Sequence, residues 1–256
     1  MIHPTAIVDE GAEIHESAEI GPYCIVGSHV KIGAGTKVGP HTVLDGRTEI
    51  GENNEIFHHA SIGAIPQHAK YRGEPTRLTI GSGNIIREFV TIHLGTVEDR
   101  SITTVGDRNL LMAYVHVAHD CTLENEVILA NSAMLGGHVH VECNAILGGM
   151  LGVHQFVRIG RRAMVGGMSG VRLDIPPFTR ASDNPAKLYG LNTIGLERAG
   201  FSSEEIGRLR KAYRILFQSG ELLQDAIAKV RAEVGEDPNV EDLLVFLEKS
   251  ERGFCR

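Results

Sequence analysis

The stretch Val115-His116-Val117-Ala118-His119-Asp120-Cys121 sets two histidines and a carboxylate within a few positions of one another. An imidazole titrates near neutral pH, so His119 beside Asp120 reads as a catalytic base. Further histidines lie at His93, His138, His140 and His154. Several stacked histidines are also what a zinc ion takes as ligands, so a zinc site competes with the base. A third reading leaves the chain an inert scaffold whose histidines are structural. Cys121 suggests a thiol nucleophile, but its register, given next, places it in the core, where a thiol is inert.

What positions these residues is a period of six. From Ile2 the chain steps through Val8, Ile14, Ile20, Val26, Ile32, Val38, Leu44, Ile50, Ile56 and Ile62. It resumes at Ile80, Ile86 and Ile92, and again from Val105 through Leu111, Val117, Leu123 and onward to Val171. A second stripe of small or short residues lies four places after each, including Ala6, Cys24, Thr36, Cys121 and Ala133. Such a period fits neither a helix nor an alternating strand. It fits short strands with a turn after each, stacked as a solenoid around an aliphatic column. None of the histidines falls on the inward position. His119 and His138 lie about one coil apart, and His154 falls close to the next level. Two interruptions, at about 63–79 and 94–104, carry prolines and polar runs and read as projecting loops, where binding residues tend to sit.

The repeat ends near Asp174-Ile175-Pro176-Pro177, and Asn184-Pro185 is a second breaker. Residues 1–185 are therefore expected to form the solenoid, and 186–256 a small helical domain. Within the latter, Ser202-Ser203-Glu204-Glu205 is a capping box. Ile206, Leu209, Tyr213, Leu216 and Phe217 then share one face, and Gly220 is a stop. Further helices are expected around Leu223, Ile227 and Val230, and after Pro238.

Composition narrows the function classes. Apolar content of 42%, charge of 22% and aromatics of 5% describe a globular chain with an aliphatic core. A net charge of −7 argues against nucleic acid as a partner. Arg158, Arg161 and Arg162 stand out on this acidic chain as a landing site for an acidic partner. The four cysteines form no C-x-x-C pair, so reduced thiols in the cytoplasm are expected. No charged-then-apolar leader and no long apolar run occurs, so neither a signal peptide nor membrane insertion is expected.

The hexads resemble those of the hexapeptide-repeat acyltransferases, whose fold is a left-handed parallel β-helix. They also resemble those of the hexapeptide-repeat carbonic anhydrases, which implies a zinc-dependent hydratase as the competing reading. Longer strings are more specific: Gly73 to Arg77, Ile92-His93 with Gly95-Thr96, Val117 to Cys121, Gly137-His138-Val139, Val153 to Phe156, Val171 to Pro177, and Arg198 to Ser202. Together they resemble the UDP-N-acetylglucosamine O-acyltransferases of lipid A biosynthesis over essentially the whole chain. The resemblance implies a cytoplasmic homotrimer without a cofactor or metal. It would move a 3-hydroxyacyl chain from acyl carrier protein to the sugar 3-position of UDP-N-acetylglucosamine. It implies His119 as general base, Asp120 as its orienting neighbour and the Gly137 N–H as oxyanion donor. His93, His116, His138, His154 and Gln155 would line the cleft, with Gln67, His68 and Lys70 from the first loop. Asn192 and Arg198 would meet the nucleotide, and Gly167, matching the acyl-length position, would admit a longer chain.

The sequence departs from the family in three places. His68 follows Gln67 where an acidic residue is usual, Arg198-Ala199 replaces paired arginines, and Asp183-Asn184-Pro185 replaces a histidine-containing turn. The first departure leaves open a 3-amino sugar acceptor and an amide product.

Overall fold

A computed structural model describes all 256 residues. Residues 2–182 wind into a parallel β-helix of triangular section. Its three faces hold nine, eight and ten strands, the last counting an antiparallel strand at Lys187–Leu191. Ile7 pairs with Ile25 and Val8 with Val26, so one coil takes eighteen residues, or three hexads. Most strands are two residues long, one pointing out and one in, as in Ile25–Val26 and His116–Val117. The inward residues form one continuous core, within which Leu44, Leu111, Val117 and Leu135 are at most 1% exposed. The small stripe lies inside as well, with Cys24, Cys121 and Ala133 at 0% exposure.

Each strand ends in a tight corner whose third residue usually has a left-handed backbone, as at Asp120 (φ 60), His138 (φ 62) and Phe156 (φ 66). That conformation costs a non-glycine residue about 1–2 kcal/mol, so the corner is held by its neighbours. His138 N–H, for example, donates to His119 O one coil below at 3.0 Å.

Both interruptions leave the same edge, between the first and second faces. They are shorter than the broken period implies. Ser61–Ala64 and Arg77–Ile80 bound the first, and Thr91–His93 and Ile102–Val105 the second. The projecting parts are therefore 65–76 and 94–101. Arg77 to Ile80 pair in register with Arg47 to Ile50, which draws the loop ends into the wall.

Two elements escaped the sequence pattern. Lys187–Leu191 is a strand lying antiparallel to Thr179–Ser182 on the third face. A short helix, α1 (Thr193–Arg198), follows it, capped by Asn192, whose Oδ1 accepts from Gly195 N–H. Then come α2 (Ser203–Gln218), α3 (Leu223–Val234) and α4 (Pro238–Glu248). The capping box at Ser202 and Glu205 forms in full. Pro238 opens α4 at its first turn, where its missing N–H costs nothing, and Asp237 is the cap. The helices bury a second cluster of fifteen residues around Leu209, Val230 and Leu243. No helix is long and apolar enough to cross a membrane.

Candidate functional site

His119 sits at the second position of a corner between the first and second faces, and Asp120 at the third. Only 12% of the His119 side chain is exposed, and none of the Asp120 carboxylate. Asp120 N–H donates to Thr103 Oγ1 at 2.8 Å, which fixes the corner. The carboxylate accepts from Thr96 N–H at 2.9 and 3.0 Å and from Thr96 Oγ1 at 2.7 Å. His119 Nδ1 lies 2.9 Å from Asp120 Oδ2. Burial pushes the Asp120 carboxyl up, but the bonds from His119 and Thr96, with His138 nearby, outweigh it and leave it below the usual carboxylate range. An ionised acceptor on that side assigns the proton to Nδ1 and leaves Nε2 as the free lone pair of His119.

Further histidines surround this pair. His68, from the first loop, meets the His119 ring edge-on at 5.1 Å. His138, one coil above, meets it at 5.2 Å and stacks on Phe156 at 4.3 Å. His138 Nδ1 is 3.1 Å from Asp99 Oδ2, and its Nε2 is 3.8 Å from Asp120 Oδ2. On the wall itself, His116 bonds Thr91 Oγ1 at 2.7 Å, and His93 packs against His116 at 4.9 Å. Burial, with His116 and His119 adding to it, lowers His93 to about 4. Burial and His119 likewise lower His116. His154 accepts from Arg252 Nη2 at 2.8 Å, which leaves its proton on Nε2. His119, Asp120 and His138 present one ligating atom each within 4.8 Å of one another, so this trio has the geometry to hold a metal ion.

Gly137 faces the base directly. A Cβ built on it falls 2.5 Å from His119 Cε1 and 2.8 Å from Nε2. Its backbone N–H donates no hydrogen bond within the chain. The coil explains why. The second position of a corner has no backbone acceptor, and Pro4, Pro22 and Pro40 occupy it without loss. Where an oxygen lies near, that N–H binds it. Cys143 N–H and Arg161 N–H donate to Glu124 and Glu142 carboxylates at 2.9 Å each. A corner N–H of this kind is thus a ready donor to an anionic oxygen, and at Gly137 it is vacant beside His119 Nε2.

From this point a trough of about 660 Å³ runs along the first face, lined by Gln67, His116, Met134, Gly152, His154 and Gln155 among others. Its floor dips at Gly152, where an added Cβ would meet nothing within 4 Å. Glycine weakens a strand, and nothing in this chain requires it there. The space suits a slender ligand.

The remaining expected site residues lie elsewhere on the chain. Gly167 is on the corner between the third and first faces, with Gly149 O 3.0 Å from its built Cβ and with Met150 and Met168 exposed beside it. Asn192 Nδ2 donates to Arg162 O at 3.0 Å, near the remaining edge, and Arg198 is exposed at the end of α1. The arginines expected to receive an acidic partner also have contacts within the chain. Arg158 pairs with Glu142 at 2.9 Å and covers the Phe246 ring. Arg161 binds Asp242 and Asn239 and covers Phe178. Arg162 lies over Phe201 at 5.5 Å.

Sequence reasoning gave no role to Thr96, Glu98 or Asp99, although all three reach the site. Adjacent acidic residues in a projecting loop were the one available signal. Lys70 Nζ lies 3.2 Å and His68 Nε2 3.5 Å from the Glu98 carboxylate.

Residues 174–255 match the family described as UDP N-acetylglucosamine O-acyltransferase, domain 2, and residues 11–46 match the bacterial transferase hexapeptide family. The chain is 56% identical to the acyl-(acyl-carrier-protein)–UDP-N-acetylglucosamine O-acyltransferase of Burkholderia orbicola, over 100% of this chain and 99% of that one. The enzyme of that name from Thiobacillus denitrificans is 52% identical over the same shares. The crystal structure of UDP-N-acetylglucosamine O-acyltransferase from Moraxella catarrhalis superposes with a TM-score of 0.97 at 47% identity, covering 100% of this chain and 99% of that one.

Proposed function

The chain belongs to the UDP-N-acetylglucosamine O-acyltransferases, and from that membership we propose that it begins lipid A synthesis. It transfers a 3-hydroxyacyl chain from acyl carrier protein to the sugar 3-hydroxyl of UDP-N-acetylglucosamine. The observation that carries the mechanism is the meeting of His119 Nε2 and the vacant Gly137 corner.

Nε2 takes the proton of the sugar hydroxyl as its oxygen attacks the thioester carbonyl. The imidazolium that forms is held by the Asp120 carboxylate through Nδ1–H. Negative charge develops on the carbonyl oxygen, and the Gly137 N–H donates to it. Collapse of the tetrahedral intermediate breaks the carbon–sulfur bond, and the leaving thiolate takes the proton from Nε2. No acyl-enzyme is involved: Cys121 is buried, and burial pushes its thiol up to about 12. His119, Asp120 and His138 serve this chemistry rather than a zinc ion, since the hydratase reading has no support from the family.

The active unit is a homotrimer in this reading. His119, Gly167 and Asn192 lie on different edges of one β-helix, so they converge only between neighbouring copies. The outward row Leu110, Ile128, Ile146 and Met164 on the third face is apolar and suits a neighbour. The acyl chain then follows the trough over Gly152, and the open Gly167 admits a long one. The four free cysteines fit a reducing cytoplasm, where acyl carrier protein is available.

The test offers the enzyme 3-hydroxyacyl carrier protein with UDP-N-acetylglucosamine and with its 3-amino analogue. An ester product on the natural sugar supports the reading. Transfer to the amino sugar alone would replace the acceptor, and transfer to neither would end the proposal.

A further inference from the structure

The first loop carries Gln67, His68 and Lys70 over the catalytic histidine, yet little holds it there. The hydrogen bonds its residues 66–74 make otherwise close within the loop. Tyr71 Oη donates to Glu74 O, Arg72 N–H to Glu74 Oε2, and the Arg72 guanidinium to Ala69 O. The polar ties from this stretch to the rest of the chain end on one carboxylate. Glu98 Oε1 takes Lys70 Nζ at 3.2 Å, and Glu98 Oε2 faces His68 Nε2 at 3.5 Å.

The second loop, by contrast, is anchored on both sides of Glu98. Thr96 is 2% exposed and bonded twice through N–H and once through Oγ1 to Asp120. Asp99 meets His138 Nδ1 at 3.1 Å. Ser101 N–H donates to Thr96 O, closing the loop on itself. Glu98 therefore stands on a segment fixed to the catalytic corner and reaches out to a segment that is not.

We propose that Glu98 is a positioning residue for the acceptor sugar, holding the first loop closed over His119 before the sugar nucleotide arrives. This rests on the acyl-transfer reading of the site. Lys70 keeps further N–H donors free for the substrate while one engages Glu98. A pre-closed loop spares the substrate the cost of ordering it, so losing the tie weakens binding by the loss of closed population. Two partly exposed pairs of this kind translate to about 3- to 30-fold in apparent affinity.

The experiment compares wild type with Glu98→Gln and Glu98→Ala in the transfer assay, alongside hydrogen exchange of the substrate-free protein. In Glu98→Ala, KM for UDP-N-acetylglucosamine is expected to rise about 3- to 30-fold. The expected kcat and the KM for acyl carrier protein stay near wild type. Exchange should rise in residues 65–76 and stay unchanged in 94–101. Glu98→Gln, which still accepts from Lys70, should fall between. An unchanged KM for the sugar nucleotide, with exchange raised or not, would overturn the proposal. A wild type that transfers no acyl group would remove it together with the reaction, whereas intact wild-type transfer confines any failure to Glu98.

Discussion

Adding one methyl group at Gly137 tests the placement of the base with little else disturbed. Its Cβ would fall 2.5 Å from His119 Cε1, 2.8 Å from Nε2 and 3.1 Å from Nδ1. Ordinary carbon contact is near 3.5 Å, so the ring must retreat by about 1 Å. A misplacement of that size costs about 10²-fold in turnover, or about 2.7 kcal/mol of barrier. The fold should tolerate the change. Gly137 does not have the left-handed backbone of its neighbour, and Ala34 and Ala113 occupy the equivalent corner position in other coils. Gly137→Ala is therefore expected to keep its melting temperature while kcat falls about 10²-fold. Gly137→Pro goes further, removing the vacant N–H as well. Pro22 and Pro40 follow glycine at equivalent corners, as residue 137 follows Gly136, so this variant should also fold. Its additional loss is about 10²–10³-fold, the usual contribution of one oxyanion donor. Steady-state kinetics with thermal melts read both. An alanine variant within a few-fold of wild type would show that His119 is not held against residue 137. A proline variant equal to the alanine one would show that the N–H does not meet developing charge.

Three other outcomes follow from single features. Gly152→Leu should leave stability unchanged or slightly raised, since the built Cβ meets nothing, yet cut transfer of long acyl donors more than tenfold and of short ones less; equal effects on both would refute a trough that holds the chain. His93, lowered to about 4, takes its proton more readily when unfolded, so its contribution is complete above about pH 6.5 and is lost as pH falls toward 4. The ceiling is about 3 kcal/mol, nearer 1–2 after screening, and urea midpoints at pH 7 and pH 5 should converge in His93→Gln. Arg161→Ala should lower stability by about 1–3 kcal/mol by releasing Asn239 and Asp242 of α4 from the β-helix, with KM for acyl carrier protein unchanged; a raised KM would assign this arginine to carrier docking.

The coil was legible because its physics is local and repeated. Each inward aliphatic residue, each small residue four places on and each corner glycine repeats the same instruction, so Ile20, Val117 and Val153 announce one column. The corner histidines were legible as residues that break that pattern on one edge. What the pattern could not carry were pairings between distant segments without a period. Glu98 looks like any acidic loop residue until Lys70 and His68 are brought beside it. Arg158 and Arg161 looked like surface charge because their partners, Glu142 and Phe246, Asp242 and Phe178, lie on other coils or in the helical segment. Lys187–Leu191 was hidden by an antiparallel pairing after an all-parallel run, and α1 by its length of six residues.

The most direct measurement is the rate of 3-hydroxyacyl transfer from acyl carrier protein to UDP-N-acetylglucosamine by His119→Ala against wild type, with melting curves of both. Removal of the base is expected to lower kcat by about 10²–10⁴-fold at an unchanged melting temperature. Wild-type turnover in a folded His119→Ala protein would contradict the account at its centre.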